Sequence, residues 1–264
     1  DHAMTEAPTL RALLDDRRLH PGHIVMEFAT PGIGHILAAA GAEFCFLDME
    51  HSGFDYGTLK SALRWLEAAR MPSIVRVPSH EYHHVARALD LGADGIVVPM
   101  VGTAEQAAAL VRHARYAPVG ERGCAFGVAH DRYRGGVPAD LMAAANARTV
   151  TIALVETAEG ARNADAIAAT PGLDVVWVGH FDLSASLGVA GDFACSTFRD
   201  AMEAICAAAK RHDKTLARLV ATPAEADQAV KDGFRLIAYG GDALLLNRAL
   251  AEGVEHIRAL ASRH

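Results

Sequence analysis

Five ionisable side chains follow short apolar runs in the sequence, and their types and positions are those of residues that do chemistry. Asp48 and His51 follow one run, Arg76 ends the next, and Glu156 and Asp182 follow two later runs. Charged groups at the ends of apolar strands cost free energy unless they are paired or bound to a ligand. We therefore predict that these residues meet in one site.

The residue types indicate a metal-assisted reaction of an oxo acid. Glu156 and Asp182, without a cysteine or a histidine cluster, predict an oxygen-rich site for Mg²⁺ or Mn²⁺, with Co²⁺ as a further candidate. Two protein ligands leave room for the keto and carboxylate oxygens of a 2-oxo acid. Arg76 is suited to stabilising an enolate oxygen, and we interpret His51 as a base whose ring is oriented by Asp48.

The segment Gly179, His180, Phe181 and Asp182 is predicted to bind the substrate carboxylate, because backbone N–H groups at a helix start bind anions. Two alternatives remain open for this segment. Asp182 is also a common residue type for capping a helix that begins at Leu183, and His180 is equally interpreted as a surface-exposed residue at the helix start.

Structural alternatives exist for the other residues as well. Glu156 and Arg76 would also make a buried ion pair, and His51 by itself is typical of a loop histidine whose hydrogen bonds are satisfied. The joint placement of five such groups at strand ends favours a functional site, because independent structural reasons rarely bring five of them to the same place.

We interpret the positions of the lysines as excluding a mechanism that proceeds through an imine. A Schiff-base aldolase requires a lysine that points inward from a strand. The chain has four lysines, Lys60, Lys210, Lys214 and Lys231. Three lie in predicted helices, and Lys214 precedes a predicted strand at the end away from the site.

Alternating strands and helices provide the elements that position these residues. The predicted strands are Ile24–Phe28, Phe44–Asp48, Ser73–Val77, Gly95–Pro99, Val150–Glu156, Val175–Gly179, Thr215–Leu219 and Leu236–Tyr239. The predicted helices are Ile33–Ala40, Tyr56–Ala69, His83–Leu91, Ala104–Arg115, Gly160–Ala168, Thr197–His212, Pro223–Asp232 and Asp242–Leu260. Strands with continuous apolar character that alternate with helices predict a parallel sheet.

Eight such units favour an α/β fold of the (β/α)8 TIM-barrel type, in which active sites lie at the carboxyl ends of the strands. An open doubly wound sheet is the alternative, but the first strand–helix turn has no G-x-G-x-x-G motif. We interpret residues 4–264 as a single catalytic domain and residues 1–3, which precede Met4, as a cloning remnant.

Composition narrows the possible partners and the location. The net charge of −7 over 264 residues argues against nucleic acid and anionic membrane surfaces as partners. Four widely spaced cysteines form no zinc motif and predict free thiols in the cytoplasm. No apolar run approaches the length of a membrane span.

Two further segments carry weaker signals. The connection between about Ala117 and Leu141 is long and rich in glycine, and such segments are more often functional than accidental. Its residues His130, Arg132 and Arg134 either contact the aldehyde half of a substrate or a neighbouring subunit, or belong to a solvated loop. Gly240-Gly241-Asp242 lies where barrels often bind phosphate, although a tight turn explains it equally well. Trp177 is predicted to pack in the core.

Five motifs resemble the HpcH/HpaI aldolase family, in order and from the first strand to the last helix. They are Leu47-Asp48-Met49-Glu50-His51, Val75-Arg76-Val77-Pro78, Val97-Val98-Pro99-Met100-Val101, Glu156-Thr157 and Gly179-His180-Phe181-Asp182-Leu183-Ser184. The resemblance implies a class II, metal-dependent pyruvate aldolase, similar to 4-hydroxy-2-oxoheptanedioate and 2-keto-3-deoxy sugar acid aldolases. It also implies a homo-oligomer, usually a hexamer with an exchanged C-terminal helix.

By this resemblance, Glu156 and Asp182 match the metal ligands and Arg76 matches the arginine that contacts the pyruvyl oxygen. His51 and Asp48 match the base and its orienting carboxylate. The chain departs from the family where Leu154 replaces a common Gln, and where His180-Phe181 replaces Pro-Ala. Both departures affect the expected substrate preference.

Three functions follow as expectations. The first is reversible cleavage of a 4-hydroxy-2-oxo acid to pyruvate and an aldehyde. The second is oxaloacetate decarboxylation or another enolate transfer at the same site. The third is a non-catalytic barrel that binds a metal and an oxo acid.

Overall fold

The computed structural model describes residues 8–261 of the chain. The interpretation of residues 1–3 as a cloning remnant falls outside the described residues. Eight parallel strands form one closed barrel in sequence order, with β8 pairing to β1. They are β1 (His20–Val25), β2 (Phe44–Asp48), β3 (Ser73–Arg76), β4 (Gly95–Val98), β5 (Val150–Val155), β6 (Val175–Val178), β7 (Thr215–Val220) and β8 (Leu236–Gly241). The predicted (β/α)8 barrel is confirmed.

Helices surround this barrel. They are α1 (Leu10–Asp15), α2 (Ile33–Ala39), α3 (Tyr56–Ala68), α4 (Tyr82–Asp90), α5 (Ala104–Ala114), α6 (Pro138–Arg148), α7 (Ala158–Arg162), α8 (Ala164–Ala168), α9 (His180–Ser186), α10 (Ser196–Arg211), α11 (Pro223–Lys231) and α12 (Asp242–Ala261), with a 3₁₀ turn at Ala129–Asp131. In the described part of the chain, no helix is long and apolar enough to cross a membrane.

Apolar side chains fill both faces of the strands, as a sheet covered on both sides requires. One cluster fills the barrel interior and includes Phe46, Leu154 and Trp177, while a second lies between strands and helices. Leu10 of α1 is fully buried in the interior cluster. This short helix therefore closes the amino-terminal end of the barrel and leaves the carboxyl end for a site.

The first strand begins four residues earlier than predicted. His20, at its start, is buried with its ring between two carboxylates, 2.8 Å from Asp16 and 2.6 Å from Glu43. A search for apolar runs misses a strand that begins with a polar residue. The burial of that residue depends on partners elsewhere in the chain.

Three helical regions also differ from the predictions. Helices α1 and α6 were not predicted; α6 buries little more than Ala145 and has no strong apolar stripe. The predicted helix Gly160–Ala168 is two short helices, α7 and α8, with a break at Asn163.

The last helix projects a largely apolar surface to solvent. α12 packs through its beginning on β8 and β1. Five of its apolar side chains are 46–66% exposed: Leu244, Leu246, Leu250, Ile257 and Leu260.

Candidate active site

A cavity of about 180 Å³ opens at the carboxyl end of the barrel and brings most of the predicted site residues together. Its lining includes His51, Arg76, Glu156, Gly179, His180, Phe181 and Asp182, together with the apolar residues Ile24, Met26, Phe46, Leu154, Trp177, Val178 and Leu219. Parallel strands of one barrel all end at the same rim, so residues far apart in the sequence converge there.

Glu156 directly follows β5 and is buried, with 3% of its surface exposed. Its Oε1 accepts a hydrogen bond of 2.8 Å from the backbone N–H of Met100. Met100 follows β4 with φ of 55°, a left-handed conformation uncommon for a residue with a side chain. Gly179 leaves the space that this carboxylate occupies, because a Cβ there would overlap Glu156 Oε2.

Burial first, and then the charges of Asp182 and Glu50, raise the pKa of Glu156 to about 7. The N–H of Met100 and the charge of Arg76 act in the opposite direction without offsetting this effect. The alternative of a Glu156–Arg76 ion pair is wrong, since the carboxylates within 4.0 Å of Arg76 are those of Asp48 and Glu50. Within the described part of the chain, Glu156 is thus a buried carboxylate without its own cation.

Asp182 lies in the first turn of α9 and is exposed. Because α9 begins at His180, Asp182 does not cap a helix starting at Leu183, and that alternative is wrong. Its charge raises the pKa of both Glu156 and Glu50. The negative charge of Asp182 therefore acts on two other acidic groups around the cavity.

Arg76 and Asp48 form the most enclosed ion pair of the site. The β2–β3 register places them side by side. Nε and Nη2 of Arg76 donate to the two carboxylate oxygens of Asp48 at 2.8 and 2.5 Å, and Asp48 is fully buried. Although burial by itself lowers the pKa of Arg76, the bonds and charges of its acidic neighbours outweigh it, and that pKa is raised.

The predicted orientation of the His51 ring by Asp48 is wrong. Asp48 uses both oxygens on Arg76, and it reaches His51 only through the backbone N–H at 3.4 Å. The acidic group beside the ring is Glu50, with 3.7 Å between His51 Nε2 and Glu50 Oε2. The ring itself is 56% exposed at the mouth of the cavity.

Glu50 is the residue that sequence reasoning missed. Its Oε2 lies 3.2 Å from Nη1 of Arg76, so it contacts both Arg76 and His51. Burial raises its pKa, against the attraction of those two residues. The sequence shows Glu50 between Asp48 and His51, but the neighbours of its carboxylate depend on how the loop after β2 folds.

His180 is buried, with 5% exposed, so its interpretation as a surface residue is wrong. Its ring lies 4.3 Å from that of Phe181 and 5.3 Å from that of Phe193. Burial, followed by the charge of Arg218, lowers the pKa of His180 to about 4. The imidazole is therefore neutral near pH 7. Trp177 is buried as predicted, and it also lines the cavity.

The weaker predictions fall outside this cavity. His130 is buried within the long connection, its Nε2 2.5 Å from the carbonyl oxygen of Ala125. It lies with Arg132 near residues 92–94, which precede β4 at the end opposite the site. Asp242 accepts hydrogen bonds from the backbone N–H groups of residues 26–28, so it orders the loop after β1.

The donor set fits a divalent cation held by two side chains. Among residues 8–261, Glu156 accepts a hydrogen bond only at Oε1, and Gly179 keeps space beside its Oε2. A buried carboxylate with a raised pKa and an acidic neighbour gains most from a bound cation. Within residues 8–261, no group of three or more His, Cys, Asp or Glu side chains is placed to hold a metal, so Glu156 and Asp182 would leave the remaining positions to substrate and water.

Fold and site together define a (β/α)8-barrel enzyme with an acidic centre and a clamped arginine at its mouth. Residues 26–249 match the model of the HpcH/HpaI aldolase/citrate lyase family. The chain belongs to this family and is an aldolase-type carbon–carbon lyase. Enzymes of the family are generally dependent on divalent metals.

Named relatives cover most of the chain. It is 38% identical over 240 residues to a hydroxypyruvate/pyruvate aldolase of Paraburkholderia phytofirmans, covering 89% of this chain and 92% of the relative. It is 38% identical over 244 residues to a 4-hydroxy-2-oxovalerate aldolase of Novosphingobium aromaticivorans, covering 88% of each. The crystal structure of an HpcH/HpaI aldolase from Desulfitobacterium hafniense has a TM-score of 0.90 and 28% identity, covering 95% of this chain and 96% of that one.

Proposed function

We propose that this protein is a class II, metal-dependent aldolase that reversibly cleaves a 4-hydroxy-2-oxo acid to pyruvate and an aldehyde. The observation that carries the proposal is the buried Glu156 carboxylate, which shares a cavity with Asp182 and Arg76 and has no cation of its own among the described residues. The relatives named as pyruvate and hydroxy-oxo acid aldolases support the same reaction.

Glu156 and Asp182 are the proposed ligands of Mg²⁺ or Mn²⁺, with Co²⁺ as a further candidate. When bound, the cation supplies a Lewis acid for the negative charge that develops on the 2-oxo oxygen. The first-turn N–H groups of α9, at His180, Phe181 and Asp182, lack acceptors inside the helix and are the proposed donors to the substrate carboxylate. Gly179, which precedes them, lines the same cavity.

Arg76 is proposed to stabilise the developing enolate. Its guanidinium is held rigidly by Asp48 and Glu50, so little reorganisation is needed when charge appears. As the C3–C4 bond breaks, His51 accepts the proton of the 4-hydroxyl group and the bond electrons form the enolate of pyruvate. The Glu50 carboxylate next to His51 stabilises the protonated ring.

The test is pyruvate release from a panel of 4-hydroxy-2-oxo acids, before and after EDTA treatment and after addition of Mg²⁺ or Mn²⁺. We expect activity to disappear with EDTA and return with metal. A matched pair of variants is Asp182→Asn and Asp200→Asn, both at exposed helical aspartates, and only the first should lose activity. Undiminished cleavage after complete metal removal would contradict the proposal.

Oxaloacetate decarboxylation, or transfer of the same enolate to another acceptor, is a second candidate that Leu154 favours. This buried residue lines the cavity and offers no hydrogen bond to an aldehyde oxygen. A reaction that needs no aldehyde is less affected by that loss. Including oxaloacetate in the substrate panel separates the two reactions. Membership in an aldolase family argues against the non-catalytic barrel.

We also propose a homo-oligomer, because α12 exposes apolar side chains that a second copy would cover; the hexamer is the state that the family resemblance implies. Light scattering coupled to gel filtration tests this, and a monomer at all concentrations would contradict it. A cytoplasmic location is part of the proposal and is supported by the four cysteines, all free thiols.

A further inference from the structure

A groove of about 920 Å³ separates α10 from α11 along the outer wall of the barrel. It extends from His180 and Phe193 near the catalytic end to Arg17 and Asp213 near the opposite end. Helix α10 packs against α7, α8 and β7, and α11 packs against β7 and β8. Two neighbouring helices thus leave between them a space within the size range of small-molecule sites.

Arg218 of β7 points outward into this groove. It is 9% exposed, and its Nε donates weakly to the backbone carbonyl of Leu219 at 3.3 Å. Among the described residues, no carboxylate oxygen lies within 4.0 Å of its guanidinium, and its two Nη groups meet no acceptor. Burial lowers the pKa of Arg218, against the attraction of more distant acids.

The other buried arginines of the described chain have acidic partners. Arg115 lies 3.4 Å from Asp174, and Arg122 lies 2.6 Å from Asp90. A buried cation without such a partner is unfavourable. Arg218 lacks the acidic partner that Arg115 and Arg122 have, and an anion bound in the groove would supply one.

The acids nearest to Arg218 are engaged elsewhere. Glu225 Oε2 accepts the backbone N–H of Ala221 at 2.8 Å, and Asp232 Oδ1 accepts a hydrogen bond from Gln228 at 2.8 Å. Both are held by their local bonds on the α11 side. The guanidinium is left directed at the cavity.

The walls beside Arg218 are aromatic and aliphatic. Its guanidinium lies 5.5 Å from the centre of the Phe234 ring, and the groove is lined by Phe193, Phe198, Met202 and Leu216. Six basic and four acidic residues line it in all. The lining therefore combines one enclosed cation with apolar surface, which suits an organic anion with an apolar body.

We propose that the groove between α10 and α11 is a binding site for a small arylalkyl carboxylate, whose carboxylate pairs with Arg218 and whose ring packs on Phe198 and Met202. The site lies on the barrel wall, and among the described residues its lining shares only His180 with the cavity proposed for the aldolase reaction. A bidentate arginine–carboxylate pair explains why an Arg occupies an outward strand position between two helices.

The experiment is calorimetric titration of the full chain with 3-phenylpropanoate and with 3-phenylpropan-1-ol, a neutral analogue of similar shape. We expect the carboxylate to bind and the alcohol to bind at least about tenfold more weakly, since a hydrogen bond to a charged group is lost. Arg218→Gln should weaken binding of the carboxylate by about 10- to 100-fold.

Arg199→Gln is the matched control, because Arg199 lines the same groove but is exposed on α10; binding should change by less than twofold. Ala207→Trp fills the groove from an exposed position and should block binding with an unchanged urea midpoint. This second variant tests the site even if Arg218→Gln fails to fold.

Three results would overturn the proposal. The first is no binding of 3-phenylpropanoate at millimolar concentrations, and the second is equal binding of the acid and the alcohol. The third is binding that weakens as protein concentration rises, because a second copy of the chain would then be the occupant of the groove.

Discussion

Replacing Glu156 by Gln is expected to stabilise the metal-free protein while removing its metal-dependent activity. The carboxylate is 3% exposed and its pKa is raised from the ordinary 4.5 to about 7, first by burial. The folded protein therefore keeps this proton to a higher pH than the unfolded chain does. Ionisation of Glu156 lowers the free energy of unfolding as the pH rises from about 4.5 to about 7.

The magnitude follows from the same pKa. A rise from 4.5 to about 7 corresponds to about 3 kcal/mol, because a tenfold change in an acid constant is worth about 1.4 kcal/mol. In Glu156→Gln the side chain cannot ionise, and its amide oxygen can still accept the hydrogen bond from Met100. The variant should match the parent near pH 4 and exceed it by about 3 kcal/mol near pH 8.

The assay is urea unfolding of both proteins at a series of pH values in EDTA, repeated with Mn²⁺. The control is Asp182→Asn, whose exposed carboxylate should change the stability of the metal-free protein much less while also removing activity. Mn²⁺ should stabilise the parent protein and leave Glu156→Gln unaffected. A variant that is equal to or less stable than the parent near pH 8 in EDTA would refute the reasoning.

Arg76→Met leaves the fully buried Asp48 without its guanidinium partner. Urea unfolding should show a free energy of unfolding lower by about 3–5 kcal/mol. A loss below about 1 kcal/mol would contradict the importance of the Arg76–Asp48 pair. His51→Asn, at a side chain 56% exposed, should reduce kcat for pyruvate release by about 10²–10⁴-fold with an unchanged urea midpoint. A kcat within twofold of the parent would remove His51 from the mechanism. Gly179→Ala adds a methyl group 2.7 Å from Glu156 Cβ and should weaken Mn²⁺ binding by at least about tenfold in calorimetry, whereas an unchanged affinity would show that the carboxylate is not a ligand.

The barrel and the composition of its rim could be predicted from the sequence. Apolar runs that alternate with helices specify parallel strands, and parallel strands in a closed barrel all end on one side. The convergence of Arg76, Glu156 and Asp182 therefore follows from the direction of the chain alone. The starts of elements were less predictable where burial depends on distant partners, as for His20 between Asp16 and Glu43.

Tertiary structure decided which of these groups touch. The β2–β3 register places Asp48 beside Arg76 and so takes that carboxylate away from the His51 ring. Glu50 gained its role through the fold of the loop after β2. Lateral neighbours of this kind depend on register and loop conformation, which a one-dimensional pattern does not encode.

The same distinction holds beyond the rim. The sequence places His180 at a helix start, but the ring of Phe193 and the wall of the barrel bury it and keep it neutral. It also places Arg218 within a strand, yet only the separation of α10 from α11 shows a buried guanidinium facing a groove. Sequence determined the type and direction of each group, while packing between distant segments determined its partner, its burial and its charge state.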